Sequence, residues 1–419
     1  MIINKNTSIN SAVFLFPALI ATVQHGGGTV YVLLLLFGLL FGWPAWRSLE
    51  AWEKRVLYGL VVFFVLISLS LVNTQDFASG MKKIERYLHF PLIIPMYFLI
   101  KKYQVETGKI YLMGLLAASM VMFAQAYYQT SELGWGRAVG AYNPLILGDV
   151  AMLVVVIVAC AVLTVSQHWK HYLLGLVTFA LAISASIMSG SRGAWIALPV
   201  VALWLLWMKR KSYSVVSIIL IALLGGLLVW GGANLKQVKP RVDKAVAEIY
   251  QYSQNPSKAN SIAYRIEMWR DSVAIWKAHP IIGTGIGDFK GDRLKLFESG
   301  QSRLGHQFGH AHNIYFDTLA TAGLLGLIGM VVFVFILPFR MFYLHWKKEE
   351  DAWVQFYALA GMATIISFSI FGLTEGWAAR NPFVRTYLMS ILVFMSSIAV
   401  VKQKQKSANV ALSETASLR

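Results

Sequence analysis

Continuous apolar runs of membrane-crossing length recur along this chain, and they narrow its possible folds to a helical bundle in a bilayer. A helix of roughly 20 apolar residues spans about 30 Å of hydrocarbon. Inside hydrocarbon each backbone group must find its partner within the protein, which unbroken apolar runs achieve only as helices. About twelve segments qualify by this rule: 11–24, 28–45, 55–73, 87–101, 108–128, 144–165, 172–189, 194–208, 213–233, 313–338, 352–373 and 383–401. The first is short and the fourth contains Pro91 and Pro95. Charged residues make up 14% of the chain, against about 25% in a soluble domain. The expected fold class is therefore all-α, a polytopic integral membrane bundle of about 12 transmembrane helices with one large helical outer loop. The expected units are a bundle over 1–233, the loop over 234–311, a second part of the bundle over 312–401 and a tail over 402–419. The apolar stretch Ala12–Val23 lacks a small-residue cleavage site and is read as a retained span. The single cysteine, Cys160, excludes an intrachain disulfide and a cysteine-based metal cluster.

The net charge is +17. Part of it is topological, because cytoplasmic loops collect Lys and Arg. Arg47, Lys54, Arg55, Lys101, Lys102, Lys109, Lys170, Lys209–Lys211, Lys347, Lys348 and Lys402–Lys406 fall in alternate loops, which places both termini in the cytoplasm. The opposite loops are basic as well. They hold Lys82, Lys83 and Arg86, then Arg137, then Arg192, then Arg380 and Arg385. The segment from Asn234 to His310 carries more bases than acids. This excess opposes the positive-inside bias and suggests an anionic partner at the outer surface.

Within the long segment, Arg241–Tyr252 and Ile262–His279 have helical spacing of apolar residues, and Pro280 with the glycines at 283–287 ends the second. Two or three helices are expected to cap the bundle. Beyond Val401 the chain is polar and reads as a mobile tail.

Several motifs sit on the outer side. Arg192 lies in Ser189-Gly190-Ser191-Arg192-Gly193, a short turn between two spans. A guanidinium there can grip phosphate oxygens bidentately, with flanking glycines letting backbone amides approach; the alternative is snorkelling to headgroups. Arg265 is either an anion ligand, an ion-pair partner of Asp271 or of the neighbours of Glu267, or simply solvated. In Gly309-His310-Ala311-His312-Asn313, a neutral imidazole can accept a hydroxyl proton, while Asn313 suits a helix N-cap. With no HExxH pair and no cysteine nearby, a proton acceptor is favoured over zinc. Gly283-Thr284-Gly285-Ile286-Gly287 lacks a βαβ setting and reads as a turn, not a dinucleotide loop. Gly140–Pro144 reads either as a site-lining segment or as a plain turn. Glu375, Arg380 and Arg385 read as a structural ion-pair cluster.

The stretch from Arg192 to Gly326 resembles the O-antigen ligase and polymerase superfamily of bacterial envelope enzymes. The resemblance rests on the Ser-Arg-Gly turn, on Tyr264-Arg265 with Trp269, and on Pro280–Gly285. It rests also on His312-Asn313, separated by nine residues from Gly323-Leu324-Leu325-Gly326. It implies an O-antigen ligase of the Gram-negative inner membrane, with a large periplasmic loop over a lipid-accessible site. The implied reaction is inverting, metal-independent glycosyl transfer in lipopolysaccharide assembly. The donor is a glycan on undecaprenyl pyrophosphate and the acceptor a sugar hydroxyl of lipid A–core. No cofactor and no nucleic acid are expected. By the resemblance, His312 is base or orienting group, and Arg192 and Arg265 hold the pyrophosphate. Substrate-binding roles extend to Arg137, His310, Lys82, Lys83 and Arg86. An O-antigen polymerase and a lipid-linked oligosaccharide transporter are the alternatives; the second would carry polar or broken helices near the midplane.

Overall fold

The computed structural model describes residues 5–42, 46–210, 239–255, 258–305, 308–376, 378 and 380–417. Among these, helices are α1 Lys5–Thr22, α2 Gly26–Phe41, α3 Ala51–Ser68, α4 Phe77–Tyr87, α5 His89–Lys102, α6 Thr107–Tyr127, α7 Pro144–Thr164, α8 Trp169–Ser189 and α9 Arg192–Met208. They continue as α10 Lys239–Gln254, α11 Ser261–Ala278, α12 Phe289–Glu298, α13 Ile314–Gly329, α14 Leu337–Lys348, α15 Ala352–Phe371 and α16 Asn381–Ser417. No strand occurs among the described residues. The protein is a polytopic helical membrane protein, with seven described helical segments long and apolar enough to span a bilayer and shorter apolar helices at Gly26–Phe41 and Arg192–Met208. Every expected span except 213–233 has a helical counterpart; 213–233 lies outside the described residues.

Helices α7, α15 and α16 form the centre and are buried on nearly all sides. Their membrane-crossing stretches are apolar on nearly every side, which fits that position, since a helix apolar all round faces protein or lipid everywhere. Between α13 and α14, residues Met330–Ile336 widen into a π-helical stretch, and the Tyr387 hydroxyl donates to the Val334 carbonyl that the widening exposes. At the end opposite the long segment, Lys101 of the basic loop set is buried, 7% exposed, and pairs with Glu53 at 2.5 Å.

Two features depart from the sequence reading. Residues 77–87, expected as loop, form an amphipathic helix capped by Asp76, whose carboxylate accepts the Ser79 N–H. The polar tail continues α16 as helix to Ser417 instead of ending near Val401. The long segment does form the expected capping helices, α10, α11 and α12.

The decisive join is between that segment and α13. Gly323 interrupts α13 at φ 62°, ψ −162°, a conformation open essentially to glycine alone. The break frees backbone groups, and the chain after α11 takes them. The N–H groups of Leu324 and Leu325 donate to the carbonyls of Pro280 and Ile281 at 2.9 and 3.0 Å. In return, Thr284 and Gly285 donate to Ala320 and Thr321 at 3.2 and 3.1 Å. Gly283, at φ 72°, lies directly on the Thr321–Ala322 peptide, where a β-carbon would overlap the backbone. The two glycine clusters therefore exist for each other: the turn reading of 283–287 holds, and the glycine after the histidine motif is its receptor.

Gly323→Ala should force α13 out of its break and cost on the order of 1–3 kcal/mol from strain alone. Its melting temperature in detergent should fall, and the Leu324 and Leu325 amides should exchange faster with deuterium. Wild-type melting with unchanged exchange would mean the interlock carries no stability.

Candidate functional site

The Ser-Arg-Gly turn is assembled by buried polar contacts. Helix α8 ends on Gly190 in the left-handed region, φ 65°, where glycine is the usual residue. Arg137 closes that end: Nε and Nη2 donate to the carbonyls of Ser189 and Gly190 at 2.8 and 3.1 Å. Asp149 of α7, 4% exposed, accepts the Ser191 hydroxyl at 2.7 Å. Arg192 is then the first residue of α9, with an exposed side chain. Gly193 packs on Thr374, whose hydroxyl occupies the space a β-carbon would need. The flanking glycines thus serve a helix stop and a close approach between loops, which differs from the expected role of exposing amides. Sequence reasoning missed Asp149, although an acid within an apolar span was the available signal.

The histidine loop is pinned from both sides. Asn313 Oδ1 accepts the N–H groups of Tyr315 and Phe316 and so caps α13 as expected. Its Nδ2 donates to Leu373 O at 3.1 Å, and Ile314 N–H donates to Gly372 O at 2.8 Å. Ala311 donates its N–H to Asp317 at 3.1 Å and receives the Trp269 indole N–H on its carbonyl at 3.1 Å. His312 is held at φ 48°, a costly conformation for a side chain branched beyond Cβ and a frequent mark of a functional position. Phe308 stands between Tyr264 and His312, with ring centroids 5.4 and 5.8 Å away.

These contacts converge on Glu375, which is 1% exposed. Its Oε2 lies 3.4 Å from His312 Nδ1, and its Oε1 lies 3.5 Å from His310 Nε2 and 3.3 Å from Arg380 Nε. The two imidazole rings are 4.3 Å apart. Burial works to raise the carboxyl's pKa, but the close approach of His310 and His312 outweighs it and holds Glu375 below its ordinary value. The expected structural cluster is therefore corrected. Glu375 and Arg380 belong to the histidine site, whereas Arg385 turns away and donates from Nε to His89 Nε2 at 3.0 Å.

Arg265 enters from α11. The acids on its own helix are engaged elsewhere: Glu267 with Arg270 at 3.0 Å, and Asp271 with Arg293 at 2.8 Å. Asp271 also accepts the Ser302 hydroxyl at 2.9 Å. Burial lowers the pKa of the Arg265 guanidinium, the charge of Glu375 raises it, and that of Arg192 lowers it again. Arg265 thus lies within electrostatic reach of both Arg192 and Glu375. The long apolar anchor of α11 is Trp269, stacked on Phe316 at 5.6 Å.

His310, His312 and Glu375 place one ligand atom each within 4.8 Å of one another, a set that could hold a metal. Glu375 supplies a third donor that sequence spacing did not reveal. The cationic surroundings argue against a dication: Arg380 touches the carboxylate, and Arg265 acts on it.

Lys82, Lys83 and Arg86 of α4 do not join this cluster directly. They line a cleft of about 670 Å³ whose far wall includes His310 and Arg380. Gln75 and Asp76, just before α4, donate their N–H groups to Asp288 at 2.7 and 2.8 Å, which fixes α4 against the start of α12. Gly140–Pro144 behaves as a structural turn: Gln129 Nε2 donates to Gly140 O at 3.0 Å, and Asn143 caps α7.

Fold and site together define a polytopic membrane protein whose arginines, histidines and one buried acid gather at the end bearing its long polar segment. Residues 177–331 match the family model described as O-Antigen ligase, which supports membership of the O-antigen ligase superfamily. The match includes Arg192, Arg265, His310, His312 and Gly323 and stops short of Glu375. The chain is also 24% identical over 395 residues to an uncharacterized protein of Haemophilus influenzae, covering 93% of this chain and 98% of that relative. The family match supports, broadly, a function of the O-antigen ligase or polymerase type.

Because the folded pKa of Glu375 lies below the ordinary 4.5, its ionised form stabilises the fold fully above that pH. The contribution fades as pH falls through the lower folded value. Glu375→Gln should therefore lower the melting temperature at neutral pH and shrink the difference from wild type at pH below about 4. A gap between the two proteins that widened in acid would contradict this account.

Proposed function

We propose that the protein is an O-antigen ligase, a glycosyltransferase that moves a glycan from undecaprenyl pyrophosphate to a sugar hydroxyl of lipid A–core. It would act at the periplasmic face of a Gram-negative inner membrane. The observation that carries this reading is Glu375 held against His312 Nδ1 at 3.4 Å, with Arg265 in electrostatic reach of the same carboxylate. A carboxylate this close to Nδ1 would, on tightening to a hydrogen bond when substrate binds, favour the tautomer that leaves the opposite ring nitrogen unprotonated, the arrangement used to activate hydroxyls in acyl transfer.

In the proposed reaction, His312 Nε2 accepts the acceptor's hydroxyl proton as the oxygen attacks the anomeric carbon. The bond from that carbon to the pyrophosphate oxygen breaks, and attack from the opposite side inverts the centre. Charge then grows on undecaprenyl pyrophosphate, where Arg192 and Arg265 stabilise it. Glu375 compensates the proton gained by the imidazole. The pyrophosphate leaving group supplies the driving force, so neither ATP nor a metal enters the scheme. Arg137 and Asp149 act one step back, by fixing the turn that presents Arg192.

Purified protein in liposomes, given donor and lipid A–core, should yield capped lipopolysaccharide, and a product capped only on lipid-linked glycan would favour a polymerase. His312→Ala should lower transfer by ~10²-fold or more while remaining folded. His310→Ala should lower it less, and the reverse order would reassign the base. Arg192→Lys, which keeps the charge and loses the fork, should lose about tenfold or more. Transfer should survive EDTA; a loss restored by zinc would make His310, His312 and Glu375 metal ligands.

A further inference from the structure

The cleft between α4 and α12 is separate from the Arg192–Arg265 neighbourhood, yet it opens onto the same histidine pair through His310 and Arg380. At about 670 Å³ it falls within the ~300–1,000 Å³ of small-molecule sites. Its polar lining is unevenly satisfied. Asp288 is consumed by the backbone of Gln75 and Asp76, and Asp76 by the cap of α4. Lys83 is different: its side chain is half-buried, and its ammonium is shielded from solvent without a hydrogen-bond partner among the described residues. A shielded ammonium without a partner is unfavourable, and an anion in the cleft would satisfy it. Lys82, Arg86 and Lys290 stand around the same space. One acceptor lies among these donors: Asp292 keeps Oδ2 buried and unpartnered while its Oδ1 contacts Lys295 at 3.5 Å.

Donors for an anion beside an acceptor for a hydroxyl describe the needs of one kind of ligand. We propose that this cleft binds a phosphorylated sugar of the acceptor glycolipid, with the phosphate on Lys83 and a sugar hydroxyl on Asp292. The acceptor then approaches the histidines from the α4 side, and the donor pyrophosphate lies on the Arg192–Arg265 side. The geometry assigns Lys83 to acceptor specificity, and this assignment rests on the glycosyl-transfer reading above. Phosphate could also come from the donor, so the test must separate the two sources.

Full-length protein is compared with Lys83→Met in detergent and in liposomes, using lipid A–core with its phosphates intact and the same material after phosphatase treatment. Lys83→Met removes a shielded, unpartnered charge and keeps side-chain length, so it should melt no lower than wild type. Wild type should bind the phosphorylated acceptor about tenfold or more tightly than the stripped one, as expected for a charge-assisted contact. In Lys83→Met that ratio should collapse towards one, in binding and in kcat/KM alike. Equal binding of both acceptors by wild type overturns the proposal. So does a Lys83→Met protein that keeps the ratio and raises KM for the undecaprenyl pyrophosphate donor, since the ammonium would then serve the donor. Because binding needs no turnover, a phosphate-dependent ratio without any glycan transfer supports the cleft while rejecting the transferase reading.

Discussion

The interlock of Gly283 with Gly323 is the constraint on which the site depends. A membrane helix is broken at one residue, and the backbone groups it loses are met by four hydrogen bonds from the segment after α11. Such a break is tolerated at membrane depth only where protein covers it. The N-terminal half of α13 carries Asn313 and the histidine loop, and the inserted segment leads back to Arg265 and forward to Asp288. One backbone join thus fixes α11, the histidines and the cleft relative to one another. Packing of side chains alone would allow α11 to slide over the bundle, whereas paired amides fix its register.

Glu375 solves the next difficulty, which is charge. Arg380 and two imidazoles meet here, with Arg265 in electrostatic reach, in a space partly closed to water, where like charges repel strongly. A single carboxylate, almost fully buried, faces three of these groups and acts on a fourth. Its loop is held by Asn313 and Ile314 on one side and by the approach of Gly193 to Thr374 on the other. The glycine of the Ser-Arg-Gly turn and the asparagine of the His-Asn pair therefore place the same acid.

The bundle was legible because membrane helices announce themselves by length and apolarity, and the capping helices by period. The amphipathic α4 was not, since a short basic stretch between spans reads equally as loop, and its docking depends on Asp288, far along the chain. The site was half legible. Arg192, Arg265 and His312 stood out as polar groups at unusual places. Glu375 looked like a partner for neighbouring arginines because sequence shows only local pairs, while its contacts with His310 and His312 depend on α13 and α15 meeting at their ends. Arg137 read as an anion ligand and instead holds two carbonyls of the arginine turn. A guanidinium and an anion-binding site look alike in sequence until the backbone acceptors are seen.

Glu375 faces Arg380 and two imidazoles, and its charge also reaches Arg265. At Arg265, burial and then the charge of Arg192 lower the affinity of the guanidinium for its proton, a cost that an anion bound there would relieve. On the cleft side, the shielded ammonium of Lys83 has the same requirement. A stable apolar core would need neither. The cleft and Arg265 lie on two sides of one His–Glu cluster, which fits the proposed transfer between two anionic substrates.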